Sequence, residues 1–587
     1  MHIPAFSLPR LNTHQQERAV ISERRWVLWF SLGVMLVTSL PYLLGYAMQG
    51  SGWQFTGFVF GVEDGNSYIA KMLSGSAGAW LFRTPYTAQP QRGVLAFLPY
   101  LLLGKLAAPP GRHEQLVALY HLYRLAAGVL AILATYDFLA VFIRARAVRR
   151  WALVLAVLGG GLGWVLVLVG AAHWLGSLPL DFYSPESFGF LMLFGLPHLA
   201  LARAMLLWGL AAYLKTGSVS WIPRRFYRSR RGFNTVGIVI GGLWIVMGLA
   251  QPMTVVVAWF VLFAHLVGFG GHAWWRHRRG DRDTLIKWLV HFRRAFWAVL
   301  VSAPIVVYTL LAFNSDPFLK TWTSQNLILS PHPLHYLVAY GFLLPFAILG
   351  ARRLMADRPR FAWMPVAWAL CLPLLAYAPY NLQRRLPEGI WVAFVVLAMG
   401  VFDQSETNTI NQGDEQSALK ISFGSFRPVS CLLLPSTLIL LVGGLSAAVK
   451  PSTPVFRERQ EVEAFEFLET QIQNGDTVLA SYETGNALPA WVPARVVVGH
   501  GPESADLRTL LPKVQAFFRA DTTDDERLEL LNAQRVRFVF WGPAERALGA
   551  WNPAQAGYLA PAFRSGEYEI YANVRYPQRD ATFLPRD

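Results

Sequence analysis

The residues best suited to chemistry lie in the stretch 61–72, GVEDGNSYIAKM, where Glu63 and Asp64 are adjacent and Lys71 follows one helical face away. Two neighbouring carboxylates suit a general base, because one can take a proton while the other raises its pKa or holds a cation. Through their oxygens they also suit a divalent metal, with Asp181 of a later loop as a further ligand. The same residues can equally form a solvated acidic turn in which Asp64 or Ser67 caps a helix.

Possible counter-charges are spread along the chain. Arg203 and His198 share the apolar run LPHLALARAM. An arginine at mid-membrane costs about 2.5–3.5 kcal/mol on insertion scales and is a functional candidate by default. Its guanidinium suits a phosphoryl group, and an ion pair with Asp137 is the structural alternative. Gln383-Arg384-Arg385 is a doubly basic loop on the face where basic residues are otherwise scarce, which a lipid phosphate or pyrophosphate would rationalise. His121 and Arg124 lie on one helix face, and snorkelling to headgroups accounts for them. Asp181 and Glu186 form either a second acidic site or helix caps at Ser184 and Ser187. His332 and His335 have no carboxylate or cysteine at zinc spacing.

These residues have to be positioned by membrane spans. Of 587 residues, 54% are hydrophobic and only 15% charged, against about 25% charged in soluble chains. The net charge of +16 comes from short basic runs between apolar segments, as the positive-inside rule produces, so nucleic acid is not an expected partner. Cys371 and Cys431 both lie in apolar runs, which excludes a disulfide framework. The polar first 25 residues contain no apolar signal-peptide core, so the first span is expected to serve as an uncleaved anchor.

Apolar runs of near-spanning length occur at 26–46, 117–143, 151–171, 190–214, 236–250, 253–271, 295–313, 333–350, 361–378, 389–402 and 427–449. An N-terminus inside places the basic runs 144–150, 215–231, 276–294 and 352–360 in the cytoplasm, while loop 172–189 outside has no Lys or Arg. The expectation is a polytopic α-helical membrane protein of about eleven spans, N-in and C-out. Residues 1–25 form a cytoplasmic tail, 26–450 the membrane domain, and 47–116 a long first outer loop that carries Glu63 and Asp64. The apolar segment 93–108 is read as an interfacial or re-entrant helix, because counting it as a span would reverse the charge bias. Residues 403–426 read as a linker.

From 451 to 587 apolar spans cease, and strands at 477–481, 495–498, 536–541 and 567–574 alternate with helices at 461–473, 505–520 and 524–534. That pattern predicts an extracytoplasmic α/β domain. A turn at 483–486 and the run Gly499-His500-Gly501 each follow a strand, where ligands of such folds gather. The sequence has no Gly-rich nucleotide fingerprint.

The layout resembles the GT-C membrane glycosyltransferases, a group that includes protein O-mannosyltransferases, aminoarabinose transferases and oligosaccharyltransferase. Glu63-Asp64 matches their acidic pair in the first outer loop, 93–108 their juxtamembrane helix, and 451–587 their terminal domain. The resemblance implies inverting transfer of a sugar from a polyprenyl-phosphate donor to a hydroxyl of an extracytoplasmic glycan, lipid or protein acceptor. Asp64 or Glu63 would be the base; Arg203, Arg384, Arg385, Lys71 and His198 would meet the departing phosphate. It implies no organic cofactor and leaves a divalent metal open. It also implies a plasma-membrane enzyme with an extracytoplasmic site. A lipid or solute transporter, or a non-catalytic scaffold with an outer binding domain, are the competing classes.

Overall fold

A computed structural model describes residues 13–215, 232–403, 422–473 and 475–576. Most of the basic run 215–231 and of the linker 403–426 lie outside these residues. The chain is a polytopic helical membrane protein. Among the described residues seven helical segments are long and apolar enough to cross a membrane: Ile21–Met48, Arg112–Phe142, Pro197–Leu214, Pro252–Arg278, Arg282–Ser315, Pro359–Ala376 and Phe423–Val449. An eighth candidate is the pair Pro333–Tyr340 and Leu344–Asp357, bent by 69°.

The other predicted runs are helical but shorter. The run 151–171 splits into Arg146–Leu158 and Gly163–Leu168, 236–250 belongs to Gly232–Ala250, and 389–402 becomes the eleven-residue Ile390–Gly400. Every residue of Ile390–Gly400 is buried. A helix apolar on all sides belongs inside a bundle, shielded from lipid by its neighbours. The segment 93–108 forms only the seven-residue helix Leu98–Gly104. At 1.5 Å per residue it is far too short to cross the hydrocarbon core.

Helix Leu98–Gly104 packs on the acidic helix Val62–Ser76 with their backbones nearly touching. A Cβ on Gly104 would lie 1.8 Å from the Met72 carbonyl oxygen, and one on Gly75 would lie 2.1 Å from that of Leu101. Only glycine permits this approach at either crossing point.

The C-terminal domain is a five-stranded sheet in the order β4-β3-β5-β7-β6, with β3 Thr477–Leu479, β4 Arg495–Val496, β5 Val536–Trp541, β6 Leu559–Ser565 and β7 Tyr568–Asn573. Strands β4, β3 and β5 run parallel, while β5–β7 and β6–β7 are antiparallel. The expected turn at 483–486 is instead a helix, Tyr482–Ala487, capped by Ser481 Oγ accepting from the Thr484 amide at 3.2 Å. A serine at the end of a strand is a helix-start signal in its own right.

The first loop and this domain form one body. Strand β1 Trp53–Phe55 pairs antiparallel with β2 Phe456–Glu458 in the register Trp53↔Glu458 and Phe55↔Phe456. The Val496 amide of β4 donates to the Pro85 carbonyl at 2.9 Å. Ile69, Met72, Tyr100 and Tyr120 share a single apolar core with Val462, Phe465 and Val492 of the domain. The acidic helix is therefore held between the bundle and the sheet.

Candidate active site

The acidic helix begins after Gly61, whose φ of 55° is the left-handed conformation that glycine adopts most readily. Glu63 and Asp64 occupy its first turn, where carboxylates complement the helix dipole. One residue apart on a helix, they point in different directions. Glu63 turns toward the C-terminal domain, accepting from the Tyr482 hydroxyl and from the Gly501 amide at 3.3 Å. Asp64 faces a cavity together with Ser67 and Lys71, which follow it at the three- and four-residue steps of one helical face.

The C-terminal domain completes this face. His500 Nε2 lies 3.4 Å from Asp64 Oδ1. Glu503 Oε1 accepts from Lys71 Nζ at 2.6 Å and Ser67 Oγ at 2.9 Å, and its Oε2 accepts from Thr84 Oγ1 at 2.6 Å. His500 Nδ1 is 3.9 Å from Glu503 Oε1. The row Asp64, His500, Glu503, Lys71 alternates in sign. Partial loss of water disfavours the charged forms of Asp64, His500 and Glu503, but the neighbouring charges outweigh it. The His500 contact, with Arg385 and Lys71, holds the Asp64 carboxyl below the usual range. Burial likewise disfavours charge on His500, yet Asp64 and Glu503 raise its pKa. Lys71 and His500 hold Glu503 low.

The cavity measures about 710 Å³. Arg384 and Arg385 line it, and so does Arg508 of the C-terminal domain. The Arg384 guanidinium stacks 4.2 Å above the Tyr183 ring, and among the described residues it has no carboxylate partner. Arg385 Nε is 3.3 Å from Glu186 Oε1. Leu249, Pro252, Tyr308 and Phe313 bring apolar walls from the ends of three membrane helices. One chamber thus holds an ionised carboxylate, a group of guanidinium ions and an apolar surface continuous with the bundle.

No family model matches the sequence, and no curated protein matches it. Solved structures do. The oligosaccharyltransferase AglB of the archaeon Archaeoglobus fulgidus, in complex with an inhibitory peptide and a dolichol-phosphate, superposes with a TM-score of 0.53 over 95% of this chain and 75% of that one, at 13% identity. The same enzyme tethered to an acceptor peptide gives 0.51 over 88% and 69%, at 14% identity. The chain has the GT-C fold. ArnT from Cupriavidus metallidurans bound to undecaprenyl phosphate aligns over 94% of this chain and 99% of its own, with a TM-score of 0.42 and 13% identity.

Within this GT-C framework the predicted phosphate ligands divide. Arg384, Arg385, Lys71 and His198 all line the cavity. His198 Nδ1 is 2.8 Å from the Tyr100 hydroxyl, and Tyr100 stacks on Tyr68. Arg203 does not line it: its Nε donates to Glu388, and it also donates to the Glu186 carbonyl. Arg203 and Glu388 are 2% and 3% exposed, so this is a buried ion pair inside the bundle. Asp137, its expected partner, instead pairs with Arg24 at 2.8 Å.

The proposed metal set does not converge either. Asp181 is buried and accepts from Ser436 Oγ away from the cavity, and Glu63 faces Tyr482. Asp64 has cationic neighbours, a donor set unsuited to a divalent ion. Among the described residues no group of three His, Cys, Asp or Glu could hold a metal. Arg124 does not snorkel; it donates to Thr38 Oγ1 at 2.9 Å and Ser39 Oγ at 2.7 Å within the bundle. His335 is bound to the Trp174 carbonyl at 2.8 Å. Sequence reasoning missed Glu503 and Arg508. The strand-end loop beginning at Gly499 was the one signal pointing to their neighbourhood.

Proposed function

We propose that this chain is an integral-membrane glycosyltransferase that takes a sugar from a polyprenyl-phosphate donor to an extracytoplasmic acceptor hydroxyl. The observation that carries the reading is the single cavity in which Asp64 and the Arg384–Arg385 pair meet apolar helix ends. A polyprenyl tail requires an apolar route, its phosphate requires cations, and an attacking hydroxyl requires a base; the chamber supplies all three. The AglB structures, which share the fold, hold a dolichol-phosphate or an acceptor peptide.

In this scheme the acceptor hydroxyl donates to Asp64, which is already ionised. As the acceptor oxygen bonds to the anomeric carbon, the bond from that carbon to the phosphate oxygen breaks with inversion. The proton passes to Asp64, and the new charge on the lipid phosphate is met by Arg384 and Arg385. His500, hydrogen-bonded to Asp64 and drawn by the Glu503 charge 3.9 Å away, orients the carboxylate. Lys71 is already balanced by Glu503 and contributes less to the phosphate.

Asp64→Asn keeps the shape and removes the base. Transfer from a polyprenyl-phosphate sugar in proteoliposomes is expected to fall by about 10²–10⁴ with unchanged thermal stability. Undiminished transfer would exclude Asp64 as the base. A reporter fused after Asp587 is expected to be active only outside the cell, and activity in the cytoplasm would reverse the orientation.

A further inference from the structure

A second cavity, of about 230 Å³, lies at the other end of the bundle. Among the described residues its charged lining is Lys215, Lys287, Arg294 and Arg360, with His291 between them and no aspartate or glutamate. Three of these side chains come from the helix Arg282–Ser315. Lys287, His291 and Arg294 follow one another at steps of four and three, so they share one face. That helix also lines the first cavity, through Tyr308–Phe313. At 1.5 Å per residue the two cavities are about 20–40 Å apart along it, comparable to the roughly 30 Å hydrocarbon core.

The pocket is built rather than a scatter of surface charge. Arg294, 4% exposed, is anchored by Nη1 donating to the Tyr213 carbonyl at 2.8 Å. His291 is 2% exposed; its Nδ1 is bonded to the Lys287 carbonyl at 2.8 Å, and its Nε2 is buried with no partner among the described residues. A buried ring nitrogen without a partner is costly unless something else completes it. Arg360 enters from the first turn of Pro359–Leu370, the end of a helix that favours anions. Lys215 and Lys287 are exposed at the cavity mouth and Arg360 is half-buried, but all three face one cleft whose floor is the buried Arg294 and His291.

We propose that this cavity binds a phosphate group, as the headgroup of an anionic phospholipid in the leaflet away from Asp64 or as a free phosphate ion. The cations neutralise it, and a ligand hydroxyl donates to His291 Nε2: the P–OH of hydrogen phosphate in the free ion, or a glycerol hydroxyl of the headgroup in the lipid. The site is separate from the glycosyl-transfer reading and stands or falls without it.

The test uses the full-length protein in two arms. In detergent without lipid, inorganic phosphate is titrated and the melting temperature followed. In parallel, protein reconstituted in nanodiscs of phosphatidylcholine with and without phosphatidylglycerol is examined by native mass spectrometry for retained lipid. A phosphate-dependent rise in melting temperature identifies the free ion, and retained phosphatidylglycerol identifies the headgroup; either supports the site. Lys287→Gln and Arg360→Gln are each expected to weaken binding about fivefold, the effect of one cation near an anionic headgroup. Lys320→Gln, at the far face, should leave it unchanged, and the unliganded melting temperature of each variant checks folding. Absence of binding in both arms, or binding in the Lys287→Gln/Arg360→Gln double variant equal to the parent's, overturns the proposal.

Discussion

Removing the Glu503 carboxylate gives the sharpest perturbation of the Asp64 cavity. Lys71 is 1% exposed and Glu503 4%, so Glu503→Ala leaves an ammonium ion with little water. What remains around it is the Ser67 hydroxyl, the Ser67 carbonyl at 3.4 Å, and the Phe97 ring face, 4.6 Å from Nζ to its centroid. Breaking one side of a buried pair costs about 3–5 kcal/mol. The Phe97 face recovers part of this, since a desolvated cation–π contact is worth about 2 kcal/mol. The expected loss is therefore about 3 kcal/mol. Replacing both partners, Lys71→Met with Glu503→Leu, removes the stranded charge and should cost less than Glu503→Ala alone. The readout is urea unfolding in micelles, followed by tryptophan fluorescence, arranged as a double-mutant cycle. If the double variant loses the sum of the two single losses, or Glu503→Ala loses less than about 1 kcal/mol, the ion pair does not hold the loop as described.

His500→Asn addresses the adjacent contact. The His500 pKa is raised above its usual 6.5, so its stabilisation is complete below that pH and is lost as pH rises through the folded value. The Asp64 pKa is lowered from 3.8, so its share is complete above that pH and is lost as pH falls through its folded value. The parent is thus expected to lose stability as pH climbs beyond 6.5 in a melting series, and His500→Asn should flatten that slope. Gly104→Ala places a methyl 1.8 Å from the Met72 carbonyl oxygen. Backbone cannot yield as a side chain would, so the cost is expected at or above about 3 kcal/mol, read as lower monodisperse yield and melting temperature.

Much of the bundle was legible because apolar length and periodicity are local signals. Each of the eleven apolar runs becomes helix, yet length alone did not distinguish a lipid-facing span from Ile390–Gly400, which is buried by helices distant in sequence. The order of strands and helices after residue 450 was equally readable, but the antiparallel strand Leu559–Ser565 was not. It carries Pro561 and exposed positions typical of a sheet edge. At the site, Asp64 and Arg384–Arg385 stood out by type and place. Arg203 stood out for the same reason and proved to be paired with Glu388, 185 residues away. Glu503 gave no signal, because its meaning comes from Lys71, 432 residues earlier. Spacing along the chain conveys a helix face; it does not convey which distant segment packs against that face.

The bond between His500 and Asp64 joins residues 436 positions apart, and β2 reaches back across the whole bundle to close on β1. At about 5–20 residues per second of synthesis, roughly 20–90 s separate the appearance of Asp64 from that of His500. Throughout that interval the acidic helix lacks its outer wall, and Lys71 lacks its counter-charge. The bundle can insert span by span, but the chamber around Asp64 closes only near the end of translation. A truncated chain would therefore be membrane-inserted yet without a complete site, a built-in delay between insertion and competence.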